Sequence, residues 1–248
     1  MRAMKQLARV REAQRRQVTP TPDPSVENAI RFLVARGLDE SDVRFGSIPA
    51  TSLTFMARTV APHLPSGRPV RALHIGNFVG VSLCFLTAFL WRHDEGSVVL
   101  SIDPNVPHRG VSQPQGHVLA LLQHHGLLAN SLIVPGYTLE QSFGDPGAPD
   151  AANLSRSAAC VNVLKNLATL GAESFDLVLI DGNHEHVERE LNELRRLIAP
   201  GSIVVLDDID DWQGVREALE GALAHGRSRE LGSDGRLAVL QLQQPASS

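Results

Sequence analysis

Aromatic residues are scarce: eight Phe, two Trp and one Tyr in 248 residues. The core must therefore rest on Leu, Val, Ile and Ala, and the chain offers no aromatic-rich track on which bases of a nucleic acid would stack. Cysteine is scarcer. Cys84 and Cys160 both fall in apolar helical patterns, which reads as buried free thiols rather than a disulfide or a catalytic pair. No uninterrupted run of 18 apolar residues occurs, so a membrane-spanning helix is not expected. The start lacks a secretory hydrophobic region. A cytoplasmic protein without a membrane partner is the simplest expectation. Strong net charge is also missing: the formal value is −4, which argues against a nucleic-acid partner. The exception is the first 20 residues, where Arg2, Lys5, Arg9, Arg11, Arg15 and Arg16 face only Glu12. This arm reads as a solvated helical extension or a homodimer contact in preference to a nucleic-acid contact.

What is present is enough for one large core, with 43% hydrophobic and 20% charged residues. The arm stops at Thr19-Pro20-Thr21-Pro22-Asp23-Pro24. Ser25 then caps a helix with Val26, Ile30, Leu33 and Val34 at helical spacing, ending at Gly37, and a second helix covers Ala50–Val60. Residues 1–66 thus read as an arm and helical cap on a domain spanning 67–248.

From residue 70 strand and helix alternate. Strands are predicted at Val70–Ile75, Val98–Ile102, Ser131–Val134, Phe175–Ile180 and Ile203–Leu206. Helices are predicted at Val81–Trp91, Gln115–His125, Ser155–Leu170, Glu185–Ile198 and Trp212–His225. This pattern is an α/β fold, a mostly parallel sheet with helices on both faces. The last strands, Arg229–Leu231 and Leu237–Leu242, are joined by Gly232-Ser233-Asp234-Gly235. That link is too short for a crossover helix, so an antiparallel edge hairpin follows. Gly110–Gly116 and Gly144–Asn153 read as surface loops and candidate lids.

Chemistry concentrates at the strand ends. Leu73-His74-Ile75-Gly76-Asn77-Phe78-Val79-Gly80-Val81-Ser82 joins the first strand to its helix. Gly76 suits a tight turn with close ligand approach, and Gly80 close packing at the helix start. The next strand runs into Asp103, whose carboxylate can accept hydrogen bonds from both hydroxyls of a ribose. Together they point to an adenosine-containing cofactor. Val134-Pro135-Gly136-Tyr137 follows the third strand, and Tyr137 is a candidate for stacking on a base or for a partly buried structural role.

Asp181 follows the strand Phe175–Ile180, and Asp207-Asp208 follow Ile203–Leu206. Neighbouring parallel strands would bring these carboxylates together. They would repel one another unless protonated, hydrated or joined by a hard cation such as Mg²⁺. A set of surface and helix-capping acids is the alternative. His184 lies three residues beyond Asp181, as a candidate base or a helix-start hydrogen bonder.

His74-Ile75-Gly76-Asn77-Phe78-Val79-Gly80-Val81-Ser82 resembles the Glu-x-Gly-x-x-x-Gly-x-Ser loop of catechol-type O-methyltransferases, within the class I S-adenosylmethionine-dependent methyltransferases, with His74 where that family carries Glu. Ile180-Asp181-Gly182-Asn183-His184 followed by Asp207-Asp208 is similar to the macrocin-type sugar O-methyltransferases. The resemblance spans roughly residues 70–210 and implies a seven-stranded Rossmann-like class I sheet. It implies S-adenosylmethionine on His74, Gly76, Asn77, Gly80, Ser82, Asp103, Gly136 and Tyr137, and Mg²⁺ or another divalent cation on Asp181, Asp207 and Asp208. It further implies His184 as general base with Asp181 at the catalytic centre, and a hydroxylated small molecule, such as a natural product or sugar-containing metabolite, as acceptor. An NAD-dependent oxidoreductase, or a nucleotide-binding protein without turnover, is the competing reading of the same strand-end acids.

Overall fold

The computed structural model describes residues 25–140, 162–171, 174–224, 226 and 228–243. The basic arm, the Gly144–Asn153 loop and Cys160 lie outside the described residues. The first helix, α1 (Val26–Ala35), starts at Ser25, whose Oγ accepts from the Asn28 N–H at 3.2 Å. A short helix that the apolar spacing did not announce, α2 (Glu40–Phe45), is capped by Asp39. Next, α3 (Ala50–Val60) covers the span expected for it.

The alternating region supplies β1 (Arg71–Ile75), α4 (Val81–His93), β2 (Val98–Asp103), α5 (Pro114–His124), β3 (Ser131–Pro135) and α6 (Val163–Thr169). It continues with β4 (Phe175–Ile180), α7 (Val187–Leu194), β5 (Ile198–Leu206) and α8 (Gln213–Ala224). The chain closes with β6 (Ser228–Ser233) and β7 (Ala238–Leu242). The seven strands form one sheet in the order β3-β2-β1-β4-β5-β7-β6. The first five are parallel, while β7 runs antiparallel to β5 and β6 antiparallel to β7. This is the expected doubly wound sheet with its edge hairpin, the fold of class I S-adenosylmethionine-dependent methyltransferases.

Two expected boundaries move. The helix predicted over Glu185–Ile198 ends at Leu194, and β5 begins at Ile198 rather than Ile203. Tertiary pairing decides this: the Phe175 N–H donates to the Leu197 carbonyl at 2.7 Å, and Ser202 Oγ donates to the Phe175 carbonyl at 2.9 Å. Pro200 and Gly201 are absorbed as an irregularity between Phe175 and Leu177 in the β4–β5 register. The helix predicted over Ser155–Leu170 is seen as α6 in its described part.

Strand alternation divides the core. Leu177, Leu179, Ile203 and Val205 pack with α1, α3, α4 and α5 on one face. Val178, Ile180, Val204 and Leu206 pack with α6, α7 and α8 on the other. Cys84 is buried in the first layer, its thiol pushed up to about 12 by burial. Among the described residues, no helix is long and apolar enough to cross a membrane. The crevice falls between β1 and β4, where the strand order reverses, at the carboxyl ends of the parallel strands.

Candidate active site

A ladder of backbone hydrogen bonds continues past the strand ends and draws the loops together. Gly76 N–H donates to the Ile102 carbonyl at 2.9 Å, Asp181 N–H to Ile75 at 2.8 Å, and Asp207 N–H to Ile180 at 3.0 Å. Gly136 N–H donates to the Asp103 carbonyl at 2.9 Å. The first residue beyond each of β1, β3, β4 and β5 is thus pinned to the end of a neighbouring strand. Gly76 has φ +81°, and a Cβ there would lie 1.8 Å from the Asp181 carbonyl oxygen. Only glycine lets these two loops meet.

The cavity above this ladder has a volume of about 750 Å³. Gly76, Asp103, Gly136, Tyr137, Asp181, His184 and Asp208 all line it. Five residues named from the resemblance do not: His74, Asn77, Gly80, Ser82 and Asp207. Because side chains alternate along β1, Ile75 faces the cavity and His74 faces away, fully buried with Nδ1 3.1 Å from Ser101 Oγ. Burial lowers the His74 imidazole to about 3, so it is neutral. The Asn77 amide turns to Ser101 Oγ at 3.1 Å. Gly80, at φ +94°, starts α4 and packs against Val118, and Ser82 is buried within that helix. These residues shape the loop from beneath.

Asp103 is held by that loop. Its Oδ2 accepts from the Asn77 N–H at 2.8 Å and the Phe78 N–H at 3.2 Å, and Oδ1 accepts from Asn105 at 2.6 Å. Burial raises its pKa, against the pull of those three N–H groups. Oδ2 thus takes two N–H groups, while Oδ1 takes one and keeps an acceptor site. Backbone strain gathers here too: Phe78, Arg109 and Asp208 line the cavity with φ of +44°, +46° and +59°. Such values are uncommon outside glycine and concentrate at functional loops.

The acids at the ends of β4 and β5 do converge, and Asp181 and Asp207 share a side-chain hydrogen bond, but by their further partners they divide into two groups. Asp207 is 1% exposed and turns to Arg236, which lies just before β7. Asp181, His184 and Asp208 form the other group, with a ligand atom from each lying within 4.8 Å of the others. Thus His184, rather than Asp207, completes the trio facing the cavity. His184 Nε2 is 3.1 Å from Asp208 Oδ2, and its ring stacks on Trp212 at 4.9 Å and 13°. The start of α8 presses on this turn, since a Cβ at Gly214 would sit 2.6 Å from the His184 carbonyl.

Charge is finely divided among these groups. Burial holds the Asp181 carboxyl well above its usual range, reinforced by Asp207 and Asp208. Burial acts the same way on Asp208, but His184 and Arg236 outweigh it and leave its pKa lowered. Two carboxylates and an imidazole at this separation fit a divalent cation, although an imidazole suits Mn²⁺ or Zn²⁺ better than Mg²⁺. Asp207, with both oxygens engaged by a guanidinium, does not offer itself as a ligand.

Sequence reasoning missed Arg236, Glu190, Thr138 and Phe78, all of which line the cavity. The signal for Arg236 was in the topology. A hairpin returning antiparallel to β5 pairs Ala238 with Leu206, so the residues before β7 must flank Asp207 and Asp208.

Similarity to known proteins follows the same lines. No curated protein matches the chain. Among solved structures, a Bacillus cereus O-methyltransferase in complex with S-adenosylhomocysteine is 15% identical, covers 95% of this chain and 97% of its own, and has a TM-score of 0.61. The Podospora anserina methyltransferase PaMTH1 is 12% identical over 97% of this chain and 96% of its own, with a TM-score of 0.60. TomG of Streptomyces achromogenes, an O-methyltransferase of tomaymycin synthesis, is 16% identical over 92% and 93%, with a TM-score of 0.57. A family profile described as "Methyltransferase domain" matches residues 73–209, from β1 to just past the Asp207-Asp208 pair. The chain belongs to this methyltransferase domain family.

Proposed function

We propose that this protein is an S-adenosylmethionine-dependent O-methyltransferase acting on a hydroxyl of a small molecule, with residues 67–248 as the catalytic domain and residues 1–66 as its arm and cap. One observation carries the reading: a single cavity joins Asp103, suited to a ribose, to the Asp181–His184–Asp208 cluster, suited to activating an oxygen. S-Adenosylmethionine supplies a methyl carbon made electrophilic by its sulfonium. Asp103 accepts the ribose hydroxyls, and the turn at Gly76 leaves room for the ligand backbone. Gly136 and Tyr137 flank the base. The His184 imidazole takes the proton of the acceptor hydroxyl as the oxygen attacks opposite the sulfur. With that cofactor bound, the C–O bond would form as the C–S bond breaks, the electron pair going to the sulfur. Asp208 stabilises the resulting imidazolium, and Trp212 fixes the ring plane, so that the oxygen is delivered along the reacting axis.

The spacing of the trio favours a second, metal-assisted form of the same reaction. Asp181, His184 and Asp208 would hold the divalent cation, which would supply charge that lowers the pKa of an acceptor hydroxyl. The two forms place His184 differently, because an Nε2 that ligates a cation is not free to take a proton. Labelled methyl transfer to a panel of hydroxylated acceptors tests the proposal, with the wild type compared with Asp181→Ala before and after chelator dialysis. Transfer lost in Asp181→Ala supports it, and restoration by Mn²⁺ or Mg²⁺ selects the metal-assisted form. Absence of transfer to every hydroxylated acceptor, with S-adenosylhomocysteine bound, would favour the non-catalytic reading.

A further inference from the structure

Glu190 stands in α7 with its side chain fully buried, yet it lines the cavity. Thr138 Oγ1 donates to its Oε1. Its Oε2 has no hydrogen-bond partner among the described residues. Burial raises the carboxyl to about 7, opposed only by the Thr138 hydroxyl, so no neighbouring cation compensates its charge. A buried, half-satisfied carboxyl costs stability and is worth retaining where a ligand completes it.

Its position indicates which part of a ligand. The loop after β3 is tied to the end of β2 by the Gly136–Asp103 hydrogen bond, and Thr138 follows two residues later. Glu190 Oε1 also lies 3.9 Å from where a Cβ on Gly182 would stand, at the end of β4. The carboxyl therefore lines the cavity between the β3 and β4 loops, held by Thr138 on one and close to Gly182 on the other. The proposed function sets the base against Gly136 and Tyr137, which immediately precede Thr138, and so brings it to this corner. What the corner offers is an acceptor oxygen fixed in direction by Thr138.

Resting on the proposed function, we propose that Glu190 is the base-recognition residue of the adenosyl site, its free Oε2 accepting a hydrogen bond from the exocyclic amine of adenine. Thr138 is its positioning residue. A 6-oxo purine places a carbonyl oxygen there instead, facing another acceptor.

Calorimetric titration of the full chain with S-adenosylhomocysteine and S-inosylhomocysteine, at pH 8, tests this directly. The wild type should prefer the adenosyl ligand by roughly tenfold or more, the scale of one hydrogen bond to a charged group. Glu190→Gln should collapse that ratio toward unity, because an amide can present either its oxygen or its NH₂ to the base. Thr138→Val, which frees the carboxyl to rotate, should reduce the ratio by a smaller factor. A wild-type preference that Glu190→Gln leaves unchanged would overturn the inference while leaving the cofactor assignment intact. Failure of the wild type to bind either ligand would overturn both.

Discussion

Arg236 grips Asp207 with two parallel hydrogen bonds, Nε to Oδ1 at 2.7 Å and Nη2 to Oδ2 at 2.8 Å. The same Nη2 lies 3.0 Å from Asp208 Oδ1. A cation from the edge hairpin is thereby built into the acidic end of the cavity. Its presence explains how three carboxyl groups share the ends of β4 and β5.

Removing that guanidinium should therefore expose the cost of the buried acid. Arg236→Gln leaves Asp207 buried without its counter-ion and should lower unfolding free energy by about 3 kcal/mol. Adding Asp207→Asn should recover much of the loss, which urea denaturation of the single and double variants would measure as a coupling energy. Simple additivity of the two changes would show that the pair is not a unit.

The hairpin also shows what was legible in the sequence. Its strands, its antiparallel sense and the acids after β4 and β5 follow from periodicity, turn residues and strand-end position. The pairing of Ala238 with Leu206 follows from none of the three, and that register is what places Arg236 on Asp207. Glu190 was hidden for another reason. In α7 its neighbours Glu188 and Glu193 make it look like one more solvent-facing acid, and its partner Thr138 comes from the loop after β3, far away in sequence. His74 shows the reverse error. Motif position assigned it to the cofactor, whereas strand alternation sends it to the opposite face.

The pH dependence of stability should carry the signature of Glu190. Its carboxyl is raised from 4.5 to about 7 on folding, so between those values the native chain holds a proton that the unfolded chain has released. The stabilising contribution is present below about pH 4.5 and is lost as pH rises through about 7. Glu190→Gln cannot ionise. Relative to wild type it should gain on the order of 3 kcal/mol between pH 4 and pH 8, read from denaturant unfolding at each pH. A difference that stays flat across this range would contradict the burial argument.

Gly76→Ala probes the junction of the first and fourth strands. With φ at +81° and the Asp181 carbonyl 1.8 Å from the new Cβ, the loops cannot keep their present approach. A loss of at least about 2 kcal/mol in stability is expected, together with weakened S-adenosylhomocysteine binding. Thermal unfolding with and without that ligand would report both. A variant as stable as the wild type would show that the loop tolerates a wider separation.

His184 should separate chemistry from binding. His184→Ala should lower kcat by a factor of about 10² to 10⁴, the usual range for a general base, while S-adenosylhomocysteine affinity stays within a few-fold. Steady-state kinetics on an accepted substrate, paired with calorimetry, would distinguish this from structural damage. An unchanged kcat would remove His184 from the reaction.

The most direct test of the account is a calorimetric titration of the full chain with S-adenosylhomocysteine and, separately, NAD, repeated with Asp103→Ala. Saturable one-to-one binding of S-adenosylhomocysteine, none of NAD, and at least tenfold weaker binding in the Asp103 variant are the predicted results. Binding of NAD in place of S-adenosylhomocysteine, or of neither, would contradict the assignment of this cavity to an S-adenosyl cofactor.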